Sequence, residues 1–351
     1  MGAGGDRRVR LRDVAERAGV SVGSASQAFG RPELVSREVR ERVLAAAEEL
    51  DYAGPDPAAR RLRTGRAGAL GLIFTESLGY AFTDPAAPAF LRGVAWGMEE
   101  ARTGLLIIPT SPSREAAETA VREAAVDGFI IYSAPRNDPR VDTAVARHLP
   151  LVTVDQPRGA PTPFVGIDDR GAARGAAEHI RELGHERVAV LTFATAVDPE
   201  GTLVFDVTEE RLAGYREGLG PLWDEDALRT CRPNAPEPAR LATLELLRRP
   251  EPPTAILAMT DALALGVLQA AGELDVPVPE RLSVVGFDDT PAAVLAHPPL
   301  TTVAQPHEEK GRLAAEWLIK DIARGAGPGR RRRQTLLPTE LVVRQSTAPR
   351  R

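Results

Sequence analysis

The sequence of 351 residues predicts a small all-α head, a short linking helix, and a larger α/β body of two similar lobes. Three observations carry this reading. Residues 11–29 hold two short helical patterns around a glycine. Residues 54–66 hold a Pro-rich approach, a helix start signal and a glycine stop. From Gly68 onward, apolar runs of strand length alternate with helical spacings, the pattern of parallel sheets covered by helices on both faces.

The head comes first. Val14, Ala15 and Ala18 put small apolar groups on one face of a first helix. Gly19 ends it, because glycine takes the left-handed backbone that a helix stop requires. Val20 is the plug of the turn, and Ser21 is a good N-cap for a second helix over Val22–Phe29. That helix turns Ala25, Ala28 and Phe29 inward and leaves Val22, Gly23, Ser24, Ser26 and Gln27 outward. Two helices, a glycine turn and a polar second helix form a helix-turn-helix, whose second helix enters the DNA major groove. Taken alone, the stretch also admits the lesser reading of an ordinary Ala-rich hairpin. Ser36 caps a third helix with Val39, Val43, Leu44, Ala47 and Leu50 inward, and Asp51-Tyr52 ends it. Asp56 as N-cap and Pro57 at the first helical position then start a helix that meets Gly65 after about two turns. A helix that short is unstable alone in water, so it forms only when docked.

In the body, strand patterns fall at residues 69–74, 105–108, 129–132 and 151–154, with helical spacing at 90–98, 115–125 and 140–148 between them. A second series repeats the theme. Helices are expected at 171–183, 210–219, 238–247, 261–274 and 308–324, and strands at 188–193, 255–258 and 282–287. Ligands of such sheets bind beyond the strand C-termini, and two lobes would face each other across a cleft.

Composition narrows the function. The length suits two or three domains. No run of about 18 apolar residues occurs, which argues against a membrane partner. Residues 1–10 are Gly- and Arg-rich without an apolar centre and do not read as a secretory signal. The lone Cys231 fits a reducing cytoplasm, the expected location. Residues 1–66 carry a net charge of +3 and the remainder −8, a basic head on an acidic body. No phosphate loop, no Cys/His metal spacing and no Gly-x-Ser-x-Gly elbow is found, so neither an enzyme nor a cofactor or metal is expected. His179 and His185 read as surface residues, and Ser346–Arg351 as a frayed tail.

Asp13-Val14-Ala15, Ala18-Gly19-Val20-Ser21, the Leu62-Arg63-Thr64-Gly65 ending and Gly286-Phe287-Asp288-Asp289 together resemble the lactose-repressor (LacI) family of bacterial transcription regulators, from about Arg10 to Val343. The resemblance implies a helix-turn-helix domain over 9–53, a hinge over 54–66, and a two-lobed effector-binding and dimerisation domain over 67–345, similar to type I periplasmic binding proteins. It places the first lobe at about 67–167 and 304–334, and the second at about 168–303 and 335–345. It reads Pro298–Pro306 as a structural crossover and implies a homodimer, for which the helix Phe90–Met98 is the interface candidate.

By match to the family, Val22, Gly23 and Gln27 face base edges; Gln pairs with adenine and Val touches a thymine methyl. Ser21, Ser26 and the nearby amides would hold phosphate, though Ser26 reads equally as an ordinary exposed helix serine. Arg61 would reach phosphates and Leu62 would wedge into the minor groove. Gln27 stands where Arg is usual and Gly30 where Asn is usual, which bears on the operator sequence.

For the effector, the resemblance implies Arg211 and Asp288 as ligand contacts, with a sugar as ligand: arginine donates and aspartate accepts hydroxyl bonds. Asp261 matches a loop between strand and helix, but it begins a helix and the cap is the preferred reading; Asp289 is likewise read as structural. Asp155 is another strand-end carboxylate, and Tyr80, Phe82, Phe74 and Phe193 are aromatic candidates for stacking on a sugar face, with core packing the default reading for Phe74 and Phe193. The expected function is therefore a homodimeric repressor of a palindromic double-stranded DNA operator, controlled by a small-molecule effector. The competing reading is a sugar-binding receptor without DNA function.

Overall fold

The computed structural model describes residues 9–54, 65–74, 86–101, 103–108, 113–159, 162–193, 204–325 and 333–350. The hinge positions Arg61 and Leu62, and Tyr80 and Phe82, lie outside these. The chain divides into two compact units, Met1–Ala67 and Gly68–Arg351.

The first unit is helical. Helices α1 (Leu11–Arg17), α2 (Val22–Gly30) and α3 (Arg37–Glu49) close around Val14, Ala15, Ala25, Ala28, Val43, Ala46 and Ala47. Small residues dominate because three short helices must approach closely to exclude water at all. Gly19 has φ +66°, as a left-handed stop requires. Phe29 packs edge-on against Tyr52, with ring centroids 5.8 Å apart, and ties α2 to the end of α3. One inward assignment fails. Leu44 is exposed and Ala46 takes its place, because Val43, Ala46, Ala47 and Leu50 share one 3.6-residue stripe.

The second unit holds two six-stranded sheets. In chain order come β1 (Ala69–Phe74), α4 (Ala86–Met98), β2 (Gly104–Ile108), α5 (Arg114–Glu123), β3 (Gly128–Tyr132), α6 (Pro139–Ala146), β4 (Leu151–Val154) and β5 (Phe164–Ile167). Then follow α7 (Asp169–Glu182), β6 (Val188–Phe193), α8 (Asp206–Leu219), β7 (Leu228–Cys231), α9 (Pro236–Leu247), β8 (Ala255–Ala258), α10 (Asp261–Glu273), β9 (Ser283–Asp288), α11 (Pro291–Leu295) and β10 (Thr301–Ala304). The chain closes with α12 (His307–Ala323), β11 (Gln334–Leu337) and β12 (Glu340–Val342). The first sheet runs β11-β5-β4-β3-β1-β2, all parallel, and the second β12-β10-β9-β8-β6-β7, with only β12 antiparallel.

Alternation along the strands builds a core on each face of the first sheet. Leu70, Leu72, Ile130 and Val152 meet α4 and α12, while Ile73, Phe129, Ile131 and Leu151 meet α5 and α6. The α4–α12 crossing is backbone-close, since a Cβ on Gly93 would stand 1.9 Å from the Glu308 carbonyl oxygen. In the second lobe, α7 packs on α8 and α9 on α10 around a single large core.

Four expectations need correction. β5 and the half-buried edge strand β7 were unassigned, the first being a four-residue run just after prolines and the second carrying Arg229 and Thr230. Leu336 and Leu337 belong to the first sheet, where β11 pairs with β5, so the last crossing between lobes follows Leu337. The tail is not frayed. Val284 N–H donates to the Ser346 carbonyl (2.8 Å), the Thr301 N–H to Ser346 Oγ (2.7 Å), and Arg350 N–H to the Leu183 carbonyl (2.7 Å). Finally, His185 is buried: its ring bonds Thr254 Oγ1 (3.0 Å) and the Ala348 carbonyl (3.1 Å), while half-buried His179 bonds Thr347 Oγ1 (3.2 Å). Burial pushes both imidazoles below their ordinary range.

Candidate functional site

In the head, the Ser21 hydroxyl accepts the Ser24 N–H at 3.0 Å and caps α2, so its first task is structural. Val22, Gly23 and Gln27 are exposed on α2, with Val22 48% accessible, and Ser26 is half-buried.

In the second unit, parallel strands of both sheets end at one place. Phe74 ends β1 and Tyr132 ends β3; Ser133 and Asp155 follow β3 and β4; Phe193 ends β6 and Asp288 ends β9; Gln305 and His307 follow β10. These residues, with Ala86, Gln156, Phe205, Val207, Arg211, Asn234 and Thr260, line a cavity of about 130 Å³ between the lobes. Asp155 and Asp288 have φ of +62° and +115°, so both carboxylates hang on backbone that is costly for a non-glycine residue.

Arg211 is the electrostatic centre. It is 5% exposed, donates Nε to Asp169 Oδ1 (2.9 Å) and Nη1 to the Met259 carbonyl (2.7 Å), and lies 3.6 Å above the Phe287 ring. Burial alone would lower its pKa; the carboxylates of Asp169 and Asp288 more than offset this and raise it, so the guanidinium stays charged. Its Nη1 is 4.0 Å from Asp288 Oδ1. Asp288 also accepts Gln305 Nε2, and Gln305 in turn accepts the ammonium of Lys310. Direct bonds join the two lobes around the cavity. Arg136 reaches Asp206 and Glu209, the Arg158 N–H donates to Asp206 Oδ2 (2.7 Å), and the Val207 N–H to Gln156 Oε1 (3.1 Å).

Of the sequence-derived effector residues, Arg211, Asp288 and Asp155 converge on the cavity. Phe74 and Phe193 join them in its lining rather than serving the core alone. Asp261 does not reach it. Thr260 is the cap of α10, accepting the Leu263 N–H, and Asp261 is wholly buried behind the strand ends. Its carboxylate accepts the Thr290 N–H (2.7 Å) and Thr302 Oγ1 (2.6 Å), and burial, with the nearby Asp288 charge, holds its pKa well above the carboxylate range. Asp289 is structural as expected, bound by Arg344 Nη2 at 2.6 Å.

Gln305, His307 and Asn234 were not singled out from the sequence. The signal was present for the first two: they directly follow a strand whose neighbour, β9, ends in a site carboxylate. Reading Pro298–Pro306 as purely structural hid it. Among the described residues, no cluster of three or more His, Cys, Asp or Glu side chains could hold a metal ion, and no helix is long and apolar enough to cross a membrane.

Comparison with known proteins agrees with this architecture. The family profile described as bacterial regulatory proteins, lacI family, matches residues 10–54, and a periplasmic binding protein-like domain matches residues 177–347. The chain is 38% identical to the HTH-type transcriptional regulator Rv3575c of Mycobacterium tuberculosis over 98% of both chains. Among solved structures, it is similar to a lac repressor dimer bound to operator and the anti-inducer ONPF (28% identity, TM-score 0.80, covering 97% of this chain and 100% of that one). It is also similar to a complex of the transcriptional regulator CelR with cellobiose (29% identity, TM-score 0.70, covering 97% and 100%). A helix-turn-helix head on a two-sheet body with a polar cavity at the strand ends, and a relative matched along almost its whole length, place this chain in the LacI family of bacterial transcriptional regulators.

Proposed function

We propose that the protein is a homodimeric repressor that binds a palindromic operator through α2 and whose DNA affinity is set by a sugar held between the lobes. The observation that carries the reading is the cavity itself: buried Arg211 and Asp288 stand 4.0 Å apart at its wall, with Phe74, Tyr132, Phe193 and Phe205 around it. Paired donors and acceptors beside aromatic faces suit a polyol, and the volume is near that of a single ring. Cellobiose in the CelR complex supports a carbohydrate ligand for this chain too.

On DNA, Gln27 reads an adenine and Val22 a thymine methyl, while Ser26 and the amides of the first turn of α2 hold phosphate. Arg61 and Leu62 serve the hinge contact. Dimerisation uses the outer side of α4, where Trp96 is 48% exposed; Phe90 and Val94 on the same helix are committed to their own core. A dimer supplies two α2 helices for two half-sites. The effector acts by linkage, through its different affinity for the two lobe arrangements.

The test is footprinting of the full-length protein on its own upstream DNA over a salt series, with and without neutral sugars. The reading expects a protected palindrome with a steep salt slope. It also expects Gln27→Ala to cost about 1–3 kcal/mol at one base position in each half-site. No protection at any salt, with sugar binding intact, would support a sugar receptor instead.

A further inference from the structure

We propose that His307 and Asp288 grip one hydroxyl of the effector between them, making His307 a specificity-determining residue for a neutral polyhydroxylated ligand. The inference rests on the cavity being the effector site.

His307 is 8% exposed, lines the cavity, and has no hydrogen-bond partner on either Nδ1 or Nε2. Buried polar groups in folded proteins are almost always bonded, so an imidazole with two unmet nitrogens at a cavity wall is built for something that arrives. Its Nε2 stands 3.8 Å from Asp288 Oδ1. That is too long for a direct bond but right for a hydroxyl oxygen lying within bonding distance of both. The hydroxyl then donates its proton to the carboxylate and accepts the ring N–H.

Both partners are held in place. His307 is the first residue of α12, behind Pro306. Asp288 is fixed by Gln305, and Gln305 by Lys310. The nearby cations are already served, Arg211 by Asp169 and Lys310 by Asp155, so no uncompensated positive charge invites an anion. A hydroxyl gives the His307 Nε2 its partner and adds a donor to Asp288, which already accepts Gln305 Nε2, whereas a ligand lacking it leaves the imidazole buried and unmet.

The test titrates the full-length protein by calorimetry with neutral mono- and disaccharides, beginning with D-ribose and cellobiose. The tightest of these and its monodeoxy analogues are then measured against wild type, His307→Phe and His307→Gln. His307→Phe is expected to weaken the parent sugar roughly 10- to 100-fold. His307→Gln, whose amide can donate and accept, should recover most of that loss. One deoxy analogue should bind wild type and His307→Phe equally. Parent-sugar affinity within twofold of wild type in His307→Phe, or every deoxy analogue losing affinity equally on that substitution, overturns the inference and leaves the cavity reading standing. Failure of wild type to bind any neutral sugar overturns both. If His307→Phe does not fold, His307→Leu takes its place in the same comparison, with the same expected loss and the same overturning result.

Discussion

The ammonium of Lys310 lies 2.6 Å from Asp155 Oδ1, and the lysine is wholly buried. The chain has two lysines against 42 arginines, so the ammonium here is a rare choice. A compact charge with three donors can bond Asp155 and Gln305 together where a planar guanidinium would need more room. Lys310 thus ties a first-lobe strand end to the segment crossing between the lobes, and through Gln305 to Asp288. Replacing it with Met leaves Asp155 buried beside an apolar stem. Lys310→Met should lower unfolding stability by about 3–5 kcal/mol, measured by urea denaturation, and Asp155→Asn in the same chain should restore part of the loss. A change of less than about 1 kcal/mol would mean that solvent already relieves the pair.

Arg136 bonds one lobe directly to the other. Its guanidinium meets Asp206, whose side chain is 4% exposed, and Glu209, and its own N–H donates to the Val204 carbonyl at 2.7 Å. Arg136→Ala removes the side-chain bonds and keeps the main-chain one. The closed arrangement should become less populated, and effector affinity should fall roughly 10-fold, about the worth of one charge-assisted bond. Calorimetry reads the affinity, and small-angle scattering of the ligand-free protein reads the opening. Unchanged affinity with unchanged scattering would show that the latch does not set closure.

The C-terminal tail makes a pH prediction. His185 bonds Thr254 and the Ala348 carbonyl in its neutral form, and burial holds its pKa below the ordinary value near 6.5. The folded state therefore resists a proton that the unfolded chain accepts. His185 contributes its full stability above about pH 6.5 and loses it progressively as pH falls below that value. The stability gap between wild type and His185→Gln should shrink from pH 8 to pH 5 in thermal melts. A gap that stays constant over that range contradicts the assignment.

Much of this was legible before any coordinates. Strands such as Phe129–Tyr132 and Ala255–Ala258 are continuous apolar runs, and buried parallel strands cannot be written otherwise. Ser21 and Ser36 announce their helices because a cap needs a specific oxygen at a specific place. Arg211, Asp155 and Asp288 were found from a family match and from their position near strand ends. What stayed hidden depends on long-range partners. Asp261 looked like a cap or a ligand contact, but its role is set by Thr290 and Thr302, 29 and 41 residues away. Ser346 looked like a loose end, yet it is wholly buried because Thr301 and Val284 need its oxygens. His307 shows no periodicity at all; only the geometry reveals two unmet nitrogens at a cavity wall.

The central claim is that a ligand in the interlobe cavity and operator DNA on α2 bias one equilibrium. It is tested most directly by measuring sugar affinity on the free protein and on the operator-bound protein, and operator affinity with and without that sugar. Linkage requires the two ratios to be equal. The account predicts one shared factor of roughly 5- to 150-fold in both directions. Sugar affinity that is the same on and off the operator would contradict it.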